Sequence, residues 1–244
     1  MSNGYFSLRT AALVSGWALL GSAVAAPFAE MYVLPKLVLP YRAAETTANI
    51  RAHEGLFTAA IFAYFVTFVL DVVLAWSLYR LLKPVNHALA RLTAAFRLVY
   101  AVVALVALNQ LVTALRLTTT PEYGKLFPAT QLAGLAMVAL QTFKSHWSFG
   151  LLLFGVHLVL LGGLVYQAGY IPRLLGVALA ITGLGYLLTS LRPYVVPTLQ
   201  VDFALYTFYG ELFFMVWLLL RGPRIAEPGP VPAARRAAAH LSRI

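Results

Sequence analysis

The sequence contains no cysteine and few charged side chains: only 11% of its 244 residues are Asp, Glu, Lys or Arg. The lack of cysteine excludes disulfides, thiolate metal sites and cysteine nucleophiles. A soluble globular domain has roughly a quarter of its residues charged, whereas this chain is 61% hydrophobic with a mean hydropathy of +0.81. One soluble core cannot bury so much apolar surface, so the composition indicates an integral membrane protein.

Long apolar runs are what the chain has instead. Six of them reach the length of about 20 residues that a helix needs to cross a bilayer. In hydrocarbon every backbone N–H and C=O must be paired within the protein, so these runs are expected to be α-helices. The predicted fold is an all-α integral membrane bundle of six transmembrane helices. The predicted spans are Leu8–Pro27, Phe57–Leu82, Thr93–Leu115, Trp147–Tyr166, Leu174–Leu191 and Phe203–Leu220.

The positive residues predict the orientation. Eleven Lys and Arg residues fall on the side that would hold both termini and seven on the other, with the densest group between Tyr79 and Arg91. Cytoplasmic loops of membrane proteins are enriched in Lys and Arg, so we predict that both termini are cytoplasmic. The same clustering explains the net charge of +10. The expected partner is the lipid bilayer, and no nucleic acid is predicted.

The first span has a second interpretation. Residues 22–26 (SAVAA) are similar to a signal-peptidase site that follows an apolar core. The apolar stretch, however, is longer than a usual signal core, and it spaces Ala18, Ser22 and Ala26 four apart, a pattern suited to close helix packing. We therefore predict that this span is retained.

Prolines and composition predict the connections. Pro27, Pro35 and Pro40 predict that the first helix stops at the start of a long external loop. Within that loop, residues 44–55 are polar and compatible with a helix, either as an extension of the second span or as an external lid or binding element. The apolar segment 126–143 is expected to lie flat at the interface, or to form a short re-entrant or an extended helix. The membrane domain is predicted to cover 1–221, followed at 222–244 by a disordered or surface-lying basic tail.

Two charges inside the predicted bilayer carry the main prediction about a site. Asp71 lies nine residues before Arg80 in span two, and Arg97 lies six residues after Arg91 in span three. At 1.5 Å per residue these depths are about 13 Å and about 9 Å from the same side. A short turn joins the two spans, so the helices must be antiparallel neighbours. We predict an Asp71–Arg97 ion pair, because an unpaired charge in mid-bilayer is costly.

Helical spacing extends this pair into a polar seam. Tyr64 and Thr67 share a face with Asp71, and Thr93 and Tyr100 share a face with Arg97. The seam is either a ligand-binding surface or a buried clamp without chemistry.

Two more ionisable groups lie near mid-bilayer, His157 in span four and Glu211 in span six. A neutral His beside a carboxylate is suited to relaying protons or binding a cation; the other interpretation is a hydrogen-bonded pair that holds two helices together. His146 and His157 are about 16 Å apart along one helix, so no metal site is predicted. No catalytic motif is evident, and the residues indicate no particular cofactor. We therefore expect a protein that is not an enzyme.

Several segments resemble the bacterial membrane family described as domain of unknown function 4386. The segments are 46–50 (TTANI), 78–86 (LYRLLKPVN), 169–177 (GYIPRLLGV) and 183–187 (GLGYL). The positions that carry the resemblance are Asp71, Asn86, Arg97, Gly169, Pro172, Arg173, Gly176 and Tyr186. The resemblance covers the chain to about Arg221. It implies a multi-pass protein of the bacterial cytoplasmic (inner) membrane and no particular substrate.

Three functions follow from these features. The first is a ligand- or ion-binding bundle, related to transport, whose polar seam lines a small cavity. The second is a structural or assembly subunit that packs against another membrane protein or against copies of itself. The third, ranked last because no nucleophile or metal set is visible, is an intramembrane enzyme that acts on lipid. Convergence of the four buried ionisable residues on one cavity would favour the first.

Overall fold

The computed structural model describes residues 7–195 and 209–225, which fold almost entirely into helices. The α-helices are α1 (Leu8–Pro27), α2 (Leu34–Leu37), α3 (Ala43–Ala52), α4 (Glu54–Leu82), α5 (His87–Thr119), α6 (Pro121–Leu126), α7 (Ala129–Gln167), α8 (Arg173–Val195) and α9 (Tyr209–Arg221). A π-helical turn, Phe28–Val33, joins α1 to α2, and a 3₁₀ turn, Gly222–Arg224, follows α9.

Five helices in the described part of the chain are long and apolar enough to cross a membrane. They are Leu8–Leu37, Glu54–Leu82, His87–Thr119, Ala129–Gln167 and Arg173–Val195. Helix α9 forms the described part of the sixth predicted span, and residues 203–208 of that prediction lie outside the described residues. The protein is thus a helical multi-pass membrane protein, as the apolar runs predicted.

Six helices form a closed ring around the centre of the molecule. Along the chain, α1 packs on α4, α4 on α5, α5 on α7, α7 on α8 and α8 on α9; α9 then returns to pack on α1. Because the ring is closed, each of the six helices turns one face towards a common interior. That interior is where a site built from several helices would form.

The first helix does not stop at Pro27, contrary to the sequence prediction. The rod from Leu8 to Leu37 is continuous, and the π-helical turn lies directly after the proline. A proline removes one backbone donor and crowds the preceding turn, and a π turn shifts the register of the bonds that follow. Pro35 is the second residue of α2, directly after the π-helical turn. Residues predicted as loop therefore belong to the bundle.

The two segments predicted to be external also differ from a simple loop. Segment 127–143 belongs largely to α7, so the extended-helix interpretation is confirmed and the flat and re-entrant ones are wrong. Residues 43–52 form a separate helix, α3, rather than an extension of α4, and this helix packs across the ends of α5 and α7. Thr46 Oγ1 accepts a hydrogen bond from the Leu39 N–H, and Arg51 Nε donates to the Thr118 carbonyl.

Short, well-capped turns hold the opposite end of the bundle. Asn86 caps α5, since its side chain accepts a hydrogen bond from the Leu89 N–H. The α7–α8 turn is anchored to the end of α4 because the Tyr170 hydroxyl donates to the Leu81 carbonyl at 2.6 Å. Burial raises the pKa of Tyr170 to about 12, which keeps that donor protonated at neutral pH. The turn itself uses Gly169, whose φ of +66° favours glycine.

Glycines set the spacing of α7 and α8. A Cβ added to Gly162 would lie 2.5 Å from the Gly176 carbonyl oxygen, and one added to Gly183 would lie 2.7 Å from that of Gly155. The backbones of the two helices therefore cross in direct contact, which small residues at a helix interface permit. Gly210 brings α9 equally close to α8, because a Cβ there would lie 2.6 Å from the Ala178 carbonyl oxygen. Glu211 is thereby positioned at the interior.

The packed domain extends past the predicted boundary at Arg221. Gly222 lies against Ala12 of α1, and Ile225 is buried. The Arg9 side chain donates from Nε to the Ile225 carbonyl at 2.9 Å. The remainder of the predicted tail, 226–244, lies outside the described residues.

Candidate functional site

The centre of the ring contains the predicted ion pair between α4 and α5. Arg97 donates two hydrogen bonds to Asp71 Oδ1, from Nη2 at 2.7 Å and from Nε at 2.9 Å. Both side chains are almost fully buried, at 2% and 4% exposed. The hairpin formed by α4 and α5 sets their relative depth, so the pairing inferred from the turn length is confirmed.

His157 of α7 is a second partner of the guanidinium. Its Nε2 lies 3.0 Å from Arg97 Nη1, and its Nδ1 lies 2.8 Å from the Thr93 carbonyl oxygen. A guanidinium can only donate and a carbonyl can only accept. The imidazole is therefore neutral, with its proton on Nδ1. His157 adds no charge to the cluster.

Glu211 of α9 is the third group around Arg97. Its Oε1 lies 3.7 Å from Arg97 Nη1, too far for a hydrogen bond but within ion-pair range. Its side chain is 19% exposed, whereas Asp71 and Arg97 are nearly inaccessible. The predicted direct pairing of His157 with Glu211 is not what the structure shows: the two residues meet through the guanidinium that lies between them.

These charges lie at the edge of a cavity of about 570 Å³ inside the ring. The cavity wall is mostly apolar. Among the described residues that line it, the charged side chains are Asp71, Arg97 and Glu211. All six helices of the ring contribute. The lining residues are Leu19, Ser22, Ala23, Ala26, Pro27, Met31, Tyr64, Thr67, Asp71, Arg97, Tyr100, Trp147, Leu151, Phe154, Tyr186, Tyr209, Glu211, Leu212 and Met215.

Small side chains on α1 leave the space for this cavity. Ser22, Ala23 and Ala26 face it, so the stripe predicted to pack closely against another helix instead borders a void over part of its length. The Ser22 hydroxyl oxygen is buried and has no hydrogen-bond partner among the described residues. Buried hydroxyls are normally paired, so this one is available to a molecule inside the cavity.

Aromatic side chains in contact with one another form a wall of the cavity that reaches the charges. The Tyr64 and Trp147 rings meet edge to face with centroids 5.3 Å apart, and Tyr100 lies 4.8 Å from Phe154. The Trp147 indole N–H donates to the Tyr100 hydroxyl at 3.2 Å. The Arg97 guanidinium carbon lies 5.1 Å from the centroid of the Phe154 ring. A cation is therefore already in contact with this wall.

Glu30 was assigned by sequence to a loop, yet it belongs to the site. The π-helical turn directs Glu30 into the bundle, where its carboxylate accepts a hydrogen bond from the Tyr64 hydroxyl. Glu30 and Lys144 also border a smaller cavity of about 250 Å³. Tyr64 lines the main cavity, so the Glu30–Tyr64 bond lies between the two spaces.

Comparison with known proteins identifies the family. The family described as Domain of unknown function (DUF4386) matches residues 14–222, a range that includes every residue lining the cavity. The chain belongs to the DUF4386 family.

An uncharacterised protein of the archaeon Archaeoglobus fulgidus is similar to this DUF4386 chain, with 33% identity over 173 residues. The alignment covers 71% of this chain and 90% of the archaeal protein. Proteins similar to this one are therefore not confined to bacteria. No solved structure shows significant similarity.

Several positions that carried the DUF4386 resemblance have clear structural roles. Asp71 and Arg97 form the central pair, Tyr186 lines the cavity, and Gly176 permits the α7–α8 crossing. Asn86 caps α5. The resemblance therefore involves both the site and the helix contacts that position it.

Most of the predicted seam lies on one surface. Tyr64, Thr67, Asp71, Arg97, Tyr100 and Glu211 all line the cavity. His157 lies behind Arg97, completely buried, and does not line it. Span four was predicted to begin at Trp147; because α7 begins at Ala129, Trp147 lies inside a helix, and it lines the cavity.

Proposed function

We propose that this protein binds a small amphiphilic ligand within its helical ring. The observation that carries the proposal is that six predicted site residues converge on one cavity of about 570 Å³: Tyr64, Thr67, Asp71, Arg97, Tyr100 and Glu211. Ligand sites in proteins have volumes of about 300–1,000 Å³ and combine apolar and aromatic walls with a few polar groups. Here the charged groups are gathered at one place, which suits a molecule with an apolar body and a polar head.

The proposed setting is the cytoplasmic membrane, with six spans and both termini in the cytoplasm. In support, α9 closes the ring with α1 and α8, and the basic residues favour this orientation. Because the chain has no cysteine, single cysteines can be introduced without background. Lys83→Cys on the α4–α5 turn should be labelled from the cytoplasmic side, and Ala48→Cys on α3 from the opposite side. The reverse pattern would contradict the proposed orientation.

Ligand binding is tested by filling the cavity. Ala23 lines it, whereas Val24, the next residue on the same helix, is 65% exposed on the outer face. We expect Ala23→Phe to displace a bound molecule and Val24→Phe to leave it in place. The two variants add a ring to neighbouring positions of one helix, so Val24→Phe controls for the change in hydrophobicity.

The measurement is mass spectrometry of small molecules that co-purify with each variant in lipid nanodiscs. Wild type and Val24→Phe should carry the same compound in near-stoichiometric amount, and Ala23→Phe should lack it. If all three preparations carry the same small molecules, the ligand-binding proposal is wrong. A stoichiometric membrane-protein partner, found without a cavity-dependent compound, would favour the assembly role instead.

A further inference from the structure

We propose that the ligand of this cavity is a lipophilic cation, such as an aryl- or alkyl-ammonium compound. The inference rests on the proposed ligand-binding function and specifies the class of ligand. It depends on two independent observations: an excess of negative charge at the polar end of the cavity, and an aromatic wall next to that charge.

The charges around Arg97 do not balance. Two carboxylates, Asp71 and Glu211, lie within ion-pair distance of one guanidinium, at 2.7 Å and 3.7 Å. His157 is neutral because its two nitrogens are engaged by a donor and an acceptor. With both carboxylates ionised, the cluster has one uncompensated negative charge.

The two carboxylates are held differently. Asp71 receives two charge-assisted hydrogen bonds from Arg97, whereas Glu211 receives none from it. Glu211 is also the more exposed of the two, at 19%, and lines the cavity. The unbalanced charge therefore belongs to Glu211 and faces the space where a ligand would lie.

The chain near Glu211 supplies no second cation. Arg97 is the one Lys or Arg among the described residues that line the cavity. Residues 196–208, which precede α9, contain neither Lys nor Arg. On α9 itself, Arg221 lies ten residues further along, or about 15 Å away. Among the described residues that line the cavity, Arg97 is therefore the one cation near Glu211, and it already balances Asp71, so a cationic ligand would supply the missing positive charge.

Aromatic rings beside this carboxylate fit an organic cation. Six aromatic side chains line the cavity, and the Phe154 ring that contacts the Arg97 guanidinium also meets Tyr186 edge to face at 5.2 Å. Ring faces attract alkylammonium groups, and the attraction grows when water is excluded. An inorganic cation would use the carboxylate but not the rings. A lipophilic organic cation uses both.

The competing explanation is a proton on Glu211, which would balance the cluster without a ligand. Cation binding and protonation make opposite predictions for ligand charge. A site that needs a cation discriminates strongly between probes of equal shape and opposite charge, whereas a site with neutral Glu211 prefers neutral apolar molecules.

The test uses phosphatidylcholine nanodiscs and four probes, with empty nanodiscs as background. Tetraphenylphosphonium and tetraphenylborate are matched in shape and opposite in charge, benzyltrimethylammonium is a smaller cation, and N-phenyl-1-naphthylamine is neutral. Quenching of protein tryptophan fluorescence, to which Trp147 in the cavity wall contributes, reports binding. The variants are Glu211→Gln, Ala23→Phe and the control Glu122→Gln, which removes an exposed carboxylate outside the cavity.

We expect wild type and Glu122→Gln to bind at least one of the two cations and to exclude tetraphenylborate. Glu211→Gln should weaken cation binding about tenfold or more, since it removes a unit charge a few ångströms from the ligand. Ala23→Phe should abolish binding. The comparison of matched ions in wild type needs no variant, so the prediction remains testable if Glu211→Gln fails to fold.

Three other outcomes separate the inference from the proposed function. If only the neutral probe binds, and Ala23→Phe abolishes that binding, the cation inference is wrong and the ligand-binding function stands. The cation inference is equally wrong if Glu211→Gln binds cations as well as wild type does. If Ala23→Phe changes the binding of no probe, the ligand-binding function is wrong, and the cation inference fails with it.

Discussion

Removing Arg97 should destabilise the protein more than removing the charge of Asp71. Arg97→Met leaves two carboxylates without a cation, and deleting one partner of a buried pair costs about 3–5 kcal/mol. Asp71→Asn keeps an oxygen acceptor in place and leaves Arg97 with Glu211 as a counter-ion at 3.7 Å. Its cost should therefore be nearer to that of weakening buried hydrogen bonds, about 1–3 kcal/mol.

The double variant gives the sharper test. In Arg97→Met the cluster has two unpaired negative charges, and adding Asp71→Asn removes one of them. We therefore expect the double variant to be more stable than Arg97→Met alone, although it contains one more substitution. A site consisting only of Asp71 and Arg97 would also make the double variant more stable than Arg97→Met. In such a site, however, Glu211→Gln would not change the stability of the Arg97→Met variant. We expect instead that Glu211→Gln, like Asp71→Asn, stabilises the Arg97→Met variant.

Unfolding in mixed micelles with increasing mole fractions of sodium dodecyl sulfate, followed by far-ultraviolet circular dichroism, measures these differences. Arg42→Met is the control, because it breaks an ion pair with Glu45 in which both side chains are at least half exposed. Exposed pairs contribute about 0–1 kcal/mol. Equal destabilisation by Asp71→Asn and Arg97→Met, or a double variant less stable than Arg97→Met, would refute the charge assignment.

Three further changes test the contacts that position the site, with the same unfolding assay. Gly162→Ala should cost about 1–3 kcal/mol by overpacking the α7–α8 crossing, whereas Gly163→Ala, which meets open space, should be neutral or stabilising; equal effects would contradict the crossing. Tyr64→Phe keeps the ring and removes its hydrogen bond to Glu30. A hydrogen bond to a carboxylate contributes about 1.5–3 kcal/mol, so this variant should lose about that much stability. Unchanged stability would show that the bond contributes nothing. Asn86→Ala should cost about 1 kcal/mol by removing the α5 cap, and Asn86→Asp, which retains an oxygen acceptor, should not; a cost as large as that of Asn86→Ala would point to a role other than capping.

The central ion pair could be predicted because its geometry is local. A short turn forces α4 and α5 to be antiparallel neighbours, and the rise per residue then gives the depth of each charge. Asp71 and Arg97 are therefore brought together by constraints that can be counted along the sequence. Depth alone, however, does not specify which way a helix faces. His157 and Glu211 were both predicted near mid-bilayer, and only the packing of α7 and α9 shows that Arg97 lies between them.

Glu30 could not have been predicted by the same reasoning. Proline is a strong local signal against helix, so the residues after Pro27 were interpreted as loop. In the structure, the π-helical turn continues the rod, and contacts with α4 stabilise it. The apolar residues that follow Glu30, up to Leu39, were the one sequence signal that the helix continues. Local propensity is a weak prior, and tertiary contacts outweigh it here.

The size of the cavity argues against a purely structural role for the polar cluster. A clamp between two helices needs no space beside it, whereas the cavity beside Asp71 and Arg97 has a volume of about 570 Å³, within the range of about 300–1,000 Å³ found for ligand sites.

Water alone is a poor occupant, because an ordered water needs two to four polar partners and most of this wall is apolar. Water can be held near Asp71, Arg97 and Glu211, but not beside Leu19, Leu151 or the aromatic rings. A clamp between two helices would need only the balanced pair of Asp71 and Arg97. The proposed ligand, with a polar end and an apolar body, gives one common explanation for the additional carboxylate, the unpaired Ser22 hydroxyl and the small side chains of α1.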